Sequence, residues 1–245
     1  MKEKELTKND AIVLEKLSSV TSKKYKYIDC FDNDDYRLYH RNDFLYFAIK
    51  DKKIVELDIE IDSHKNSVPD CNNLSSLNLL NIYIKDTQEK ILNINLRLDS
   101  LKCLNLYTEG KVKIKISFEN LTNLIQLMIV GDDTGHKEFI NIDSIKNAKN
   151  LERLEIISIP ILKIPEFVKH LDNLKDLVLR NCDLREFDDF ILEMESLEWL
   201  DLQINKDLRI KKNIRDKLYK KLKLFNPPGQ YLDEDLFSLF KREIH

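Results

Sequence analysis

The sequence predicts an α/β solenoid: a curved parallel sheet of one short strand per repeat, backed by short helices and closed by a cap at each end. Three observations predict it. A unit Leu-x-x-Leu-x-Leu recurs along the chain, apolar residues stand at fixed offsets upstream of its copies, and a small polar residue precedes each opening leucine. The chain has 245 residues, of which 42% are hydrophobic and 34% charged, with only four glycines and five prolines, a composition that folds. Its formal net charge of -3 exerts no global pull toward nucleic acid or an anionic membrane.

From the N-terminus, Thr7 and Asp10 form a capping box for a helix through about Val20, with Ile12, Val13, Leu14 and Leu17 as its apolar face. The run Phe44 to Ile49, a polar turn at Asp51-Lys52-Lys53, and the run Ile54 to Ile61 read as a hairpin whose second strand opens the repeats. Met1 to Asp10 is charged and lacks the apolar core of a signal peptide, so the expected location is cytoplasmic.

The repeat unit is clearest at Leu174, Leu177, Leu179, at Leu197, Leu200, Leu202 and at Leu101, Leu104, Leu106. It recurs at Leu74, Leu77, Leu79, at Leu124, Leu127, Ile129 and at Leu151, Leu154, Ile156, with a looser first copy at Ile54, Leu57, Ile59. In this frame the fourth-position residues are Leu57, Leu77, Leu104, Leu127, Leu154, Leu177 and Leu200, spaced by 20, 27, 23, 27, 23 and 23 residues. Apolar residues six and three positions upstream, such as Phe118 and Leu121 or Val168 and Leu171, suit a short α or 3₁₀ turn on the convex side. The copy opening at Leu101 departs, with Ile94 and Leu96 flanking Asn95, which predicts a shifted or irregular turn. Asn73, Ser100, Asn123, Asn150, Asn173 and Ser196 precede the opening leucines, where a small polar side chain bonds local backbone.

The chain resembles the leucine-rich-repeat family, of the intracellular type, over roughly residues 54–210, with Leu174-x-x-Leu177-x-Leu179-x-x-Cys182-x-Leu184 matching the full eleven-residue frame. The resemblance implies a ladder of Asn or Cys at the ninth position, which Cys182 and Asn205 fit. Asp62 and Asp132 are substitutes; Ile82, Glu109 and Ile159 cannot join. The expected division is an N-terminal helix and hairpin cap over 1–53, about seven repeats over 54–210, and a C-terminal helical cap over 211–245. Within that last cap Ile214, Leu218 and Leu222 line one helix, Asn226-Pro227-Pro228-Gly229 stops it, and a second helix carries Leu236, Phe237, Phe240 and Ile244.

Repeat positions three, five and seven project from the concave face. Position seven reads Glu60, Leu80, Tyr107, Val130, Ile157, Arg180, Gln203; position five reads Asp58, Asn78, Asn105, Met128, Glu155, Val178, Asp201. Position three adds Glu56, Ser76, Cys103, Gln126, Arg153, Asp176 and Trp199. Six carboxylates thus face two arginines around an apolar centre of Leu80, Tyr107, Met128, Val130 and Ile157, the composition of a binding patch. The expected function is a non-catalytic protein-protein interaction module or adaptor. Its partner would be a protein with a basic or mixed-charge surface, bound through Leu80, Tyr107, Met128, Val130, Glu155, Ile157, Asp176, Val178, Arg180 and Trp199. The resemblance further implies adaptors or regulators of enzymes such as small GTPases.

The alternative is an anionic ligand or nucleic acid held by the basic segment 206–223, although the concave surface is too acidic to extend a phosphate track. No phosphate-cradling glycine loop, nucleophile elbow or HExxH is present, so neither an enzyme nor a cofactor site is expected. The cysteines Cys30, Cys71, Cys103 and Cys182 lack metal spacing. Asp29, Asp32, Asp34 and Asp35 fail the EF-hand frame, and Gly131 to His136 reads as the extra loop of a 27-residue repeat.

Overall fold

The computed structural model describes residues 6–21, 24–28, 44–61, 71–85, 91–118, 120–132 and 137–229. Each leucine unit becomes a strand because its alternating leucines point one way into a continuous apolar interior while the intervening residues point the other. Strands β1 (Lys24–Ile28), β2 (Phe44–Lys50), β3 (Lys53–Ile61), β4 (Leu79–Ile84), β6 (Cys103–Thr108), β8 (Gln126–Gly131), β10 (Arg153–Ile157), β11 (Asp176–Arg180), β12 (Trp199–Asp201) and β13 (Leu224–Asn226) form one sheet in that order. All neighbours pair parallel except the β2–β3 hairpin. Asp51 and Lys52 both take positive φ in its two-residue turn, the geometry that matches the twist of the flanking strands.

The fourth-position residues Leu57, Leu80, Leu104, Leu127, Leu154, Leu177 and Leu200 stand opposite one another and are completely buried. Leu80, not Leu77, is therefore the fourth-position residue of the second repeat. Two copies of the unit overlap there, three residues apart: Leu74, Leu77, Leu79 and Leu77, Leu80, Ile82. Only the second pairs in register with its neighbours, and it evens the spacings to 23, 24, 23, 27, 23 and 23. Leu77 becomes the opening leucine, preceded by Ser76.

Upstream of the strands the chain makes tight turns in which the opening leucine's N–H donates to the carbonyl three residues back, as in Leu124 to Leu121 and Leu174 to Leu171. The polar residue before the leucine reaches farther than the local backbone. Asn123, Asn150 and Asn173 donate to the carbonyls of Asp99, Thr122 and Lys149 in the preceding repeat at 2.7–2.9 Å, and Ser100 and Ser196 do likewise to Leu77 and Asp172. These side chains tie repeat to repeat.

The convex side differs from an all-helical expectation. It carries 3₁₀ turns at Ile142–Asn147, Glu166–His170 and Asp189–Leu192, but the middle repeats instead build a second parallel sheet from β5 (Ile91–Asn95), β7 (Val112–Ser117) and β9 (Lys137–Ile140). The reason is the two-residue alternation of Ile91-Leu-Asn-Ile-Asn and Val112-Lys-Ile-Lys-Ile, which buries every second side chain and suits a strand rather than a turn. The irregular copy around Asn95 is this strand.

The ninth-position ladder closes where the frame is complete. Asn205 accepts from the N–H groups of Cys182 and Leu184 and donates to the carbonyls of Leu179 and Leu202, while Cys182 Sγ reaches the Ile156 carbonyl at 3.2 Å. Beside this ladder Ser158, Asn181 and Ile204 take positive φ at the eighth position of successive repeats. Asp132 departs from it, its carboxylate accepting from the Gly110 N–H and from buried Lys137.

Helix α1 (Lys8–Thr21) packs Val13, Leu14 and Leu17 into the core, but Ile12 lies on its exposed side. Asp10 does more than close the capping box with Thr7: its buried carboxylate accepts the Ile54 N–H at 2.7 Å and fastens the helix to β3. At the other end α2 (Lys212–Lys221) buries Ile214 and Leu218, with Leu222 buried just beyond it, and the chain then adds β13 before the two prolines rather than stopping at once. The acidic group from Asp29 to Asp35, Asp62, the loop residues Asp133 to His136 and the final amphipathic segment from Asp233 lie outside the described residues. Among the described residues, no helix is long and apolar enough to cross a membrane and no cluster of three His, Cys, Asp or Glu could hold a metal.

Candidate protein-binding face

The strand register assembles three columns on the concave face, and they correct the sequence reading in the second repeat. Position three holds Glu56, Leu79, Cys103, Gln126, Arg153, Asp176 and Trp199; position five Asp58, Asn81, Asn105, Met128, Glu155, Val178 and Asp201; position seven Glu60, Tyr83, Tyr107, Val130, Ile157, Arg180 and Gln203. Leu80 turns inward and is completely buried, so it does not belong to the face; Ser76 and Asn78 precede the strand. Tyr83 takes the place expected for Leu80. Its spacing of 24 residues from Tyr107, close to the repeat length, was the available signal.

Tyr83 and Tyr107 stack with ring centroids 4.8 Å apart and planes 12° off parallel, an offset pairing that neighbouring parallel strands allow when both carry an aromatic in register. The column continues through Val130 and Ile157, both partly exposed, so four adjacent strands carry an unbroken apolar row. Met128 lies beside it, mostly buried, and Val178 is buried.

The central column of the N-terminal half is an amide ladder. Asn81 Nδ2 donates to Asp58 Oδ1 at 2.9 Å, and Asn105 Nδ2 donates to Asn81 Oδ1 at 2.9 Å. Burial pushes the Asp58 carboxyl up to about 7 and the charge of Glu56 adds to that, while the bonds from Asn81 and the Tyr46 backbone act the other way.

The C-terminal half is a charge network. Arg153 Nε donates to Glu155 at 2.6 Å, its guanidinium approaches Asp176 at 3.6 Å, and its central carbon sits 5.2 Å above the Trp199 ring. Arg180 is buried and bonded to Asp201, which also accepts from Asn226 at 2.7 Å. Glu155 and Arg180 are buried, whereas Asp176 and Trp199 stay partly exposed at the rim. Burial raises the Asp176 carboxyl against the opposing pull of Arg153.

The basic segment 206–223 is partly committed elsewhere. Lys221 Nζ donates to the carbonyls of Ile191, Leu192 and Met194 at 2.7–3.2 Å, and burial lowers its pKa. Lys223 pairs with Glu198 at 2.7 Å, and Arg209 bonds the Lys206 carbonyl. An open groove of about 500 Å³ runs where the strands begin, past Ser100, Asn123, Asn150 and Asn173, but those side chains are spent on the inter-repeat bonds.

No protein-family model matches the chain, and no curated protein does. Solved structures do. An internalin of Listeria monocytogenes is 18% identical with a TM-score of 0.40, over 87% of this chain and 70% of that one. A leucine-rich-repeat protein of Leptospira interrogans is 16% identical with a TM-score of 0.40, over 89% of this chain and 63% of that one. The fold itself is established by the register: seven buried leucines in line, a parallel strand per repeat and side-chain bonds that tie the turn of one repeat to the next make this chain a leucine-rich-repeat solenoid.

Proposed function

We propose that the concave face binds another protein, and that the chain is a non-catalytic interaction module acting in the cytoplasm. The observation that carries this reading is the apolar row of Tyr83, Tyr107, Val130 and Ile157, contiguous across four strands and bordered by charge. Only the stacked tyrosine pair of that row serves the sheet itself, whereas a partner gains from the whole row a rigid aromatic anchor with little entropy to lose. Asp176 and Trp199 border it on the C-terminal side, beside the buried Glu155, Val178 and Arg180, and Glu56 and Glu60 bias the other end toward a basic partner. The test is capture of a partner from native lysate, followed by affinity measurements with Tyr107→Ala and Val130→Asp. Loss of binding in both, with melting temperatures close to wild type, supports the reading; unchanged affinity in both overturns it.

A further inference from the structure

The repeat pattern does not end at β12. Leu222, Phe225 and Pro227 are buried in the spacing of the leucine unit, with Phe225 opposite Leu200, so β13 is an eighth, truncated copy. Its sixth position is a proline, which has no N–H to pass on, and no strand lies beyond it among the described residues. Tyr219 of α2 packs edge to face against Phe225, with ring centroids 5.1 Å apart. The third position of this copy belongs to the concave column. It is Leu224, 45% exposed and in register beside Trp199.

Trp199 is the only tryptophan of the chain and is partly exposed, yet its Nε1 is buried without a hydrogen-bond partner. A buried donor in this state is disfavoured unless something supplies an acceptor. The neighbours of the ring specify which kind. Arg153 lies over it at 5.2 Å, but that guanidinium is already answered by Glu155 and Asp176. Asp176, opposite Trp199 in the register, stays partly exposed, and Glu198 is paired with Lys223. One guanidinium therefore stands against two carboxylates here, so a carboxylate or phosphate would be repelled, whereas a neutral carbonyl oxygen would not. Beside the donor lies an aliphatic side chain with one flank open. A carbonyl next to an aliphatic side chain, the unit of an extended peptide, matches both.

We propose that the C-terminal end of the concave face receives an extended segment of the partner protein, in which a main-chain carbonyl accepts the Trp199 indole N–H and the adjoining aliphatic side chain packs on Leu224. The inference rests on the concave-face reading above and adds to the apolar row a second contact of defined polarity. The N–H is covered in the free chain, so binding turns the ring to present it, and the indole resonance reports that turn.

The experiment uses the full chain and three peptides: acetyl-Ala-Leu-Ala-amide, acetyl-Ala-Gly-Ala-amide, and acetyl-Ala-Leu with a free carboxylate. Each is titrated while the single indole N–H resonance is followed by NMR. A saturable downfield shift with the first peptide, none with the glycine peptide and weaker binding of the carboxylate are expected. Leu224→Ser should weaken the first peptide about fivefold, and so should Trp199→Phe, read on the side-chain amide of Asn226. No saturable shift, an equal response to the glycine peptide, tighter binding of the carboxylate, or full affinity in both variants overturns the proposal. Should Trp199→Phe not fold, Leu224→Ser decides alone. If a captured partner is lost in Tyr107→Ala and Val130→Asp but binds Trp199→Phe and Leu224→Ser at full strength, the C-terminal contact falls and the concave-face reading stands. If all four variants bind it at full strength, both fall.

Discussion

Asn205 accepts the backbone N–H of Cys182 at 2.9 Å, so the side chain of one repeat completes the turn of the repeat before it. Asn205→Ala leaves the N–H groups of Cys182 and Leu184 and two carbonyls buried without this partner. The expected cost is about 3 kcal/mol, since several orphaned groups share one relaxing turn. Urea denaturation measures it. A loss under about 0.5 kcal/mol would mean the ladder is not a structural tie.

Asp58 makes stability depend on pH in an unusual direction. Its carboxyl is raised from an ordinary value of 3.8 to about 7 in the folded chain, so the fold binds a proton that the unfolded chain releases. Its contribution is greatest at low pH, is lost as pH rises from about 4 to about 7, and is flat above that, by up to ~4 kcal/mol in all. Asp58→Asn removes the titration and keeps an acceptor for Asn81. Chemical denaturation of both proteins should show the variant's advantage growing across that window; a constant difference would refute the assignment.

Gly131 has no room for a methyl group. A Cβ built there lies 2.3 Å from the Ser158 carbonyl oxygen and 2.8 Å from Ile159 Cδ1, and the carbonyl belongs to the backbone of the adjoining repeat. Gly131→Ala should destabilise the protein by about 1–3 kcal/mol through overpacking. A melting temperature equal to wild type would show that the two turns can part.

Leu177→Ala and Tyr107→Ala separate scaffold from surface. Leu177 is completely buried, and its truncation leaves a cavity worth about 2–5 kcal/mol of stability. Tyr107 is partly exposed and loses mainly its stacking on Tyr83, about 1 kcal/mol, while a hot-spot role puts roughly 2 kcal/mol into partner affinity. Equal destabilisation by the two would place Tyr107 in the core.

Much of this was legible in the residues themselves. The capping box at Thr7 and Asp10, the turn at Asp51-Lys52 and the ladder partners Cys182 and Asn205 each follow from local chemistry, and the structure forms each as expected. The errors lie where local pattern is degenerate. Leu74-Ser-Ser-Leu77-Asn-Leu79-Leu80 satisfies the repeat in two frames, and only pairing with Leu57 and Leu104 chooses between them, which is why Leu80 was assigned to the face and Tyr83 missed. The second sheet was overlooked because a three-residue leucine spacing masked the alternation at Ile91 and Val112. Burial of Glu155, Val178 and Arg180 depends on neighbours in adjoining strands, which no single strand's sequence contains.

The run from Asp58 through Asn81 to Asn105 also has a direction. Each amide points its N–H toward Asp58 and its oxygen away, so the two dipoles lie head to tail across strands about 4.8 Å apart. Such a chain is polarised by whatever sits at its head. When Asp58 ionises, its charge draws the positive ends of both amides toward itself and drives electron density outward to Asn105 Oδ1. A proton lost at one end of the face is thereby felt two strands away as a more basic oxygen, with no atom displaced between them.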